Sequence, residues 1–332
     1  MRIVRTVLGD IAPPSLGLTL SHEHLVTHPP AFLNDADLSL AEHDAEDELA
    51  AFRRSGGGAV VEMTTIDYGR DGEALARLSR RTGVHIVAAT GFNKAIYADA
   101  ISGRFATDAV TAWMIREVQE GLIPAGSTDL AAAPASPIRA GLIKASSSLD
   151  GPTADERRVF EAAAEAHRTT GAPISTHTEQ GTWATEQARL LIDLGVEPGR
   201  ILLGHLDRNP ELSYLLEVLA TGVSIGIDQI GKSKYLSDET RLDLVLSLAE
   251  HGYIERLFLS GDIARRSGWS VAAGKGLVHI PCFCSRELRA RGLSEGDVRT
   301  LLVTNPARFF AFSPPGERRA GSPSARVARA VG

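Results

Sequence analysis

With 332 residues, 43% of them hydrophobic, the chain is long enough for two ordinary domains or one large barrel, and composition alone does not choose between them. A formal charge of −6 with scattered Lys and Arg carries no basic footprint for nucleic acid, so no nucleic-acid partner is expected. The first ten residues lack the apolar core of a secretory leader, no apolar run approaches bilayer length, and the only two cysteines, Cys282 and Cys284, read as reduced thiols; the expectation is a cytoplasmic protein with no membrane partner.

Short runs rich in Val, Ile and Leu recur along the chain, each followed after a loop by an Ala/Leu/Arg/Glu stretch of helical periodicity. Strands are expected over 17–22, 58–64, 84–90, 139–145, 172–177, 200–205, 222–228 and 256–261. Helical patterns fall over 41–54, 72–82, 153–170, 184–194, 213–221 and 238–251. Thr153 with Glu156 reads as a capping box, and Gly83, Gly171, Gly195, Gly222 and Gly252 stand where helices should end. Continuous apolar strands alternating with helices imply a parallel sheet covered by helices. Eight such units predict a single closed (β/α)8 barrel, a TIM barrel of α/β class, over 1–312; the Pro-, Gly-, Ser- and Arg-rich stretch 313–332 is expected to be a disordered tail.

Two connections are too long for plain crossovers. The stretch 91–137 holds a helical pattern at 108–121 and an Ala/Pro-rich connector at 131–137, and 263–284 is Gly-rich with little periodicity. Both follow strand C-termini, where barrels place their substrate loops.

The polar residues that end the apolar runs carry the chemistry. His22 and His24 lie at i and i+2 at the end of the first strand, a spacing that puts both imidazoles on one face and suits a metal ion; hydrogen bonding to nearby backbone is the plainer alternative. Later runs end in Lys144, His177, His205 and Asp262. A barrel would bring four histidines, an aspartate and a lysine to one mouth. Lys144 has two readings: a cation for an anionic substrate, or an amine that has taken up carbon dioxide to become a carbamate and so behaves as a carboxylate ligand.

These residues sit within motifs that resemble those of the phosphotriesterase family of the amidohydrolase superfamily. The resemblance runs in order through Thr19-Leu20-Ser21-His22-Glu23-His24, Thr64-Thr65-Ile66-Asp67-Tyr68-Gly69-Arg70-Asp71, Thr90-Gly91-Phe92, Ile143-Lys144, Thr176-His177-Thr178, Gly204-His205, Leu259-Ser260-Gly261-Asp262 and Asn305-Pro306-Ala307-Arg308, up to about Phe310. It implies two divalent metal ions, zinc first and manganese, cobalt or iron as alternatives. His22, His24 and Asp262 would hold the more buried ion and His177 and His205 the more exposed one, with N6-carboxylated Lys144 and a hydroxide bridging them. That hydroxide would attack an ester, with Asp262 as the catalytic proton acceptor and donor.

The loops must choose the substrate. Some members of the family open phosphorylated sugar lactones with a Lys and an Arg in comparable loops; Lys234 and Arg265 match, with Tyr97 and Lys94 as wall residues. The cations are otherwise solvated surface charge. The expectation is a lactonase for a small phosphorylated or anionic sugar lactone, against a phosphotriesterase or a catalytically silent metal-binding barrel; a homodimer is the open oligomeric alternative. Glu62, inside the second strand, is expected to form a buried ion pair with a barrel Arg or Lys. Arg208 either supports the site or caps the turn after His205.

Overall fold

The computed structural model describes residues 2–312 apart from 99–101, 125, 126, 128 and 130. The expected tail, 313–332, lies outside the described residues. The chain opens with a short antiparallel hairpin, β1 (Val4–Thr6) and β2 (Gly9–Ile11), which the periodicity did not announce because three-residue strands carry too little alternation. Barrel strands follow as β3 (Leu18–Glu23), β4 (Gly57–Glu62), β5 (His85–Gly91), β6 (Leu142–Ser147), β7 (Ile174–Thr178), β8 (Ile201–Gly204), β9 (Ser224–Ile227) and β10 (Leu257–Leu259). All eight are parallel and pair in sequence order, so the chain forms a (β/α)8 barrel.

The helices are α1 (Glu42–Arg54), α2 (Gly72–Thr82), the single turn α3 (Ala95–Ala98), α4 (Thr107–Gln119), α5 (Ala154–Thr170), α6 (Ala184–Asp193), α7 (Leu212–Ala220), α8 (Asp238–Glu250), α9 (Ser285–Ala290), α10 (Glu295–Arg299) and α11 (Asn305–Phe309). Their ends follow local chemistry. The Thr153–Glu156 capping box opens α5, and Gly83 and Gly171 close α2 and α5 at φ 67° and 78°, left-handed conformations that tax any residue with a Cβ. The Gly-rich stretch after β10 resolves into short 3-10 turns at Arg266–Gly268 and Ser270–Ala272 before helical structure resumes at Ile280. Cys284 is buried there, which pushes its thiol up to about 12, whereas Cys282 is exposed.

Strand alternation sets what faces the barrel axis. Leu142 belongs to the apolar cluster inside the barrel with Val61, Val87, Leu202 and Phe258, while Ile143 and Ala145 pack outward against the helices. Lys144 is therefore inward, one step nearer the carboxyl end. His177 pairs with Ser146 on one side and Gly204 on the other, two residues nearer the carboxyl end than Ser175, the partner of Lys144.

The seam between β10 and β3 is closed by two side-chain bonds and one backbone bond instead of a regular ladder. Ser21 Oγ donates to Leu259 O at 3.2 Å, the His22 amide donates to Ser260 Oγ at 2.9 Å, and the Asp262 amide donates to His22 O at 3.0 Å. The last strand's candidate ligand is thus tied directly to the first strand's.

Candidate metal centre

At the carboxyl ends of the strands lies a cavity of about 530 Å³. His22, His24, Lys144, His177, His205 and Asp262 all line it, together with Tyr97, Lys234 and Arg265. All six candidate ligands are buried except His177, which is half-buried. The ring centroids of His22 and His205 are 4.7 Å apart and those of His177 and His205 4.6 Å; Asp262 Oδ1 is 3.3 Å from His24 Nε2 and 3.7 Å from His22 Nε2. Ligand atoms of His22, His205 and Asp262 all fall within 4.8 Å of one another, a separation one ion can bridge.

Each imidazole has one nitrogen facing an oxygen of the protein. His24 Nδ1 is 2.8 Å from Thr64 Oγ1, His205 Nδ1 is 2.9 Å from Asp228 Oδ1, and His177 Nε2 is 3.1 Å from Glu179 Oε2. His22 Nδ1 lies 3.3 Å from Asp228 Oδ2, too poorly aligned for a hydrogen bond. This leaves His22 Nε2, His24 Nε2, His177 Nδ1 and His205 Nε2 to a ligand, as orienting oxygens do around histidine-bound metals. Gly204 makes room for the arrangement: a Cβ there would sit 2.7 Å from Thr176 O and 3.1 Å from Asp228 Oδ2.

The electrostatics suit a cation. Burial, with Lys144 nearby, pushes His22 down to about 3, and burial does the same to His177, so both rings are neutral donors across the physiological range. Burial also lowers His24. Burial opposes charge on His205, but Asp228 and Asp262 outweigh it and raise this ring. Against the cost of burial, Lys232 and His205 hold Asp262 ionised far below the usual carboxylate range. Lys144, buried 3.5 Å from His22 Nε2, forms no ion pair with a described carboxylate, and burial lowers its pKa. A buried amine with a depressed pKa is the form that adds to carbon dioxide, so the donor set fits two cations joined by a carboxylated lysine.

Several residues of the site escaped the sequence reading. Asp228 follows β9 directly and meets the same strand-end criterion that marked His205. Lys232 contacts Asp262 Oδ2, to which Gln229 Nε2 also donates at 3.1 Å. Glu23, between the two histidines, accepts from Ser260 Oγ at 2.7 Å, the Gly261 amide at 2.6 Å and the Ile263 amide at 2.9 Å. It therefore holds the turn on which Asp262 adopts φ 46°, a left-handed conformation costly for a non-glycine residue. Burial pushes Glu23 up to about 7 despite these bonds. Replacing Glu23 with Ala strands three buried donors, and unfolding of the metal-free protein in urea should show a loss of about 3 kcal/mol or more.

The expectation for Glu62 is corrected. It forms no ion pair among the described residues; its carboxylate instead accepts the Leu25 amide at 2.5 Å and the Thr64 amide at 3.0 Å. It is fully buried, and burial raises it to about 7. Two amides just past β3 and β4 satisfy its oxygens, a local arrangement that residue type alone does not reveal. Its role is to pin the strand ends that present His24 and Thr64.

The cavity wall sorts the candidate anion binders. Arg265 Nη1 donates to Asp35 at 2.7 Å and reaches Asp37 at 3.4 Å, so its charge is partly neutralised, while its Nε and Nη2 have no partner among the described residues. Lys275 is paired with Asp238 at 2.6 Å. Lys234 is exposed and makes no ion pair among the described residues; its Nζ sits 4.6 Å from the Tyr235 ring centroid. Arg208 stacks on that same ring at 3.6 Å and, among the described residues, its side chain otherwise reaches only Gln229 Oε1 at 3.5 Å, so it is a cavity-wall cation whose backbone also closes the turn after His205. Tyr97 packs edge-on against Tyr68 at 5.1 Å.

A parallel barrel with buried histidines, an ionised aspartate and a buried lysine gathered at its carboxyl mouth belongs to the class of metal-dependent hydrolases. A sequence model of the phosphotriesterase family matches residues 2–310, and the chain belongs to that family and is a hydrolase acting on ester bonds. It is 33% identical to the phosphotriesterase homology protein of Escherichia coli over 89% of this chain and 98% of that one. It is 30% identical to a phospho-furanose lactonase of Mycoplasmopsis agalactiae over 98% of this chain and 96% of that one. Among solved structures, a lactonase from Listeria monocytogenes superposes with a TM-score of 0.87 at 32% identity, covering 94% of this chain and 99% of that one. The E. coli protein, solved with phosphate in its active site, gives 0.82 at 32% identity over 89% and 99% of the two chains.

Proposed function

We propose that the protein is a binuclear metal lactonase acting on a phosphorylated sugar lactone. The observation that carries the substrate assignment is the pair Arg208 and Lys234, two cations without carboxylate partners among the described residues, set on Tyr235 in the wall of the cavity that holds the histidine cluster. The phospho-furanose lactonase among its relatives, and the phosphate in the active site of the E. coli relative, support the same reading.

His22, His24 and Asp262 would hold one ion and His177 and His205 the other, with carboxylated Lys144 shared between them. When bound, two divalent cations, zinc first among the alternatives, supply an acidified water as nucleophile and polarise the carbonyl oxygen. The residues do the rest. Water adds to the carbonyl carbon, the ring C–O bond breaks, and the product is a hydroxy acid. Asp262 faces two ways: Oδ1 looks toward His22 and His24, while Oδ2 meets Lys232 and Gln229. Kept ionised by Lys232 and His205, it accepts the proton of the attacking water and returns it to the departing ring oxygen. Arg208 and Lys234 bind the phosphate and fix the lactone's reach into the cluster, with Arg265 contributing the nitrogens that have no partner among the described residues and Tyr97 lining the cavity.

The test is a pH-indicator screen of lactones with and without phosphate, on protein loaded with zinc, manganese or cobalt and on a chelator-stripped control. Metal-dependent opening of phosphorylated lactones is expected. Cleavage of neutral organophosphate triesters with no lactone opened would put a phosphotriesterase in its place, and two bound metals with turnover of neither would leave a binding barrel.

A further inference from the structure

Two of the four histidines are held by hydrogen bonds to buried groups, His205 to Asp228 and His24 to Thr64, and His22 lies 3.3 Å from the same Asp228 without a hydrogen bond. His177 is different. Its Nε2 meets Glu179, a half-buried carboxylate on the cavity wall two residues along the chain. Glu179 is itself fixed from both sides. Its backbone carbonyl accepts from the Thr182 amide at 3.1 Å and Thr182 Oγ1 at 2.8 Å, in a turn where Gln180 takes φ 55°. Its carboxylate contacts Lys94 Nζ, which comes from the long loop after β5. That loop is anchored in turn, since the Asn93 amide donates to Asp67 at 3.1 Å and Asn93 Oδ1 accepts from the Lys94 amide at 2.9 Å.

We propose that Glu179, braced by Lys94, is the positioning residue for His177, fixing Nε2 as the protonated nitrogen and turning Nδ1 toward the more exposed metal. This rests on His177 being a ligand of that ion. The contact has no value as a plain surface salt bridge alone, because the imidazole shares the carboxylate with the lysine; a carboxylate accepting an imidazole N–H fixes the ring's tautomer and raises its basicity as a ligand. One of the two metal positions is therefore tied to the loop after β5, whereas the position built on His22, His24 and Asp262 is braced by the barrel and by Gln229 and Lys232 from the loop after β9.

Zinc titration of chelator-stripped full-length protein against a chromophoric competitor, alongside thermal unfolding, tests this without recourse to activity. Wild type should take up two ions. Glu179→Ala should keep one at wild-type affinity and bind the other about 10–100-fold more weakly. Glu179→Gln, which retains an acceptor oxygen, should weaken the same ion by less than about tenfold, and it stands in if the alanine variant does not fold. Two ions at wild-type affinity in a folded Glu179 variant overturn the proposal. A His177→Ala control separates the two layers of the argument: if it too binds both ions as wild type does, His177 is not a ligand and the underlying assignment falls first.

Discussion

Lys144→Ala is expected to abolish lactone opening and to lower metal content together. The side chain lies inward on β6, buried, with His22 Nε2 at 3.5 Å and no carboxylate paired to it among the described residues. An ammonium in that position would repel any cation the histidines gathered; Asp262, Asp228, Asp67 and Glu62 favour its charge, but burial outweighs them and lowers its pKa. On the proposed reading, carboxylation would reverse the sign of the group and would offer both ions a shared oxygen ligand. Alanine would remove that ligand and leave nothing to bridge the two cations. Loss of the polarising centre should cost several kcal/mol of transition-state stabilisation, a fall in kcat/KM of about 10³-fold or more. Elemental analysis should find fewer than two metals per chain, and intact-mass measurement of gently handled wild type should find the mass of one added carbon dioxide that the variant lacks. Activity retained in Lys144→Ala at full metal content would remove the lysine from the centre.

Much of this site was legible before any coordinates, and the reason is geometric. In a parallel barrel every strand ends at the same mouth, so the residue type that closes an apolar run nearly fixes its place in space. His22, Lys144, His177, His205 and Asp262 were all found by that rule, and the Thr153–Glu156 box and Gly83 marked helix ends because their chemistry is local. What stayed hidden depends on partners far apart in sequence. Glu23 looks like a spacer between two histidines until Ser260, Gly261 and Ile263 are seen against it, and Glu62 invited an ion pair because two backbone amides leave no trace in residue type. Asp228 met the strand-end rule, yet it supports two rings instead of contacting a ligand, a distinction that sequence spacing does not draw. The loop cations show the same limit. Arg265 reads as a free positive charge, but Asp35 and Asp37 take up part of it.

That redistribution of charge leads to the second large effect expected. If Arg208 and Lys234 hold a phosphate, then Arg208→Ala and Lys234→Ala should lower kcat/KM for a phosphorylated lactone, and the unphosphorylated analogue should scarcely notice. A charge-assisted hydrogen bond to a phosphate contributes about 1.5–3 kcal/mol, so each single change should cost about 10- to 100-fold. The two cations share one Tyr235 ring, so their effects should not add, and the double variant should fall short of the product of the singles. Arg265→Ala should cost less than either, because Asp35 and Asp37 already hold one of its nitrogens and neutralise part of its charge. Raising ionic strength should depress the phosphorylated substrate's kcat/KM in wild type and flatten in the double variant, since exposed charges are screened within about 8 Å at physiological salt. The outcome that sinks the assignment is an equal loss on both substrates: it would mean that Arg208 and Lys234 shape the wall around Tyr235 and leave the anion to be recognised elsewhere in the cavity.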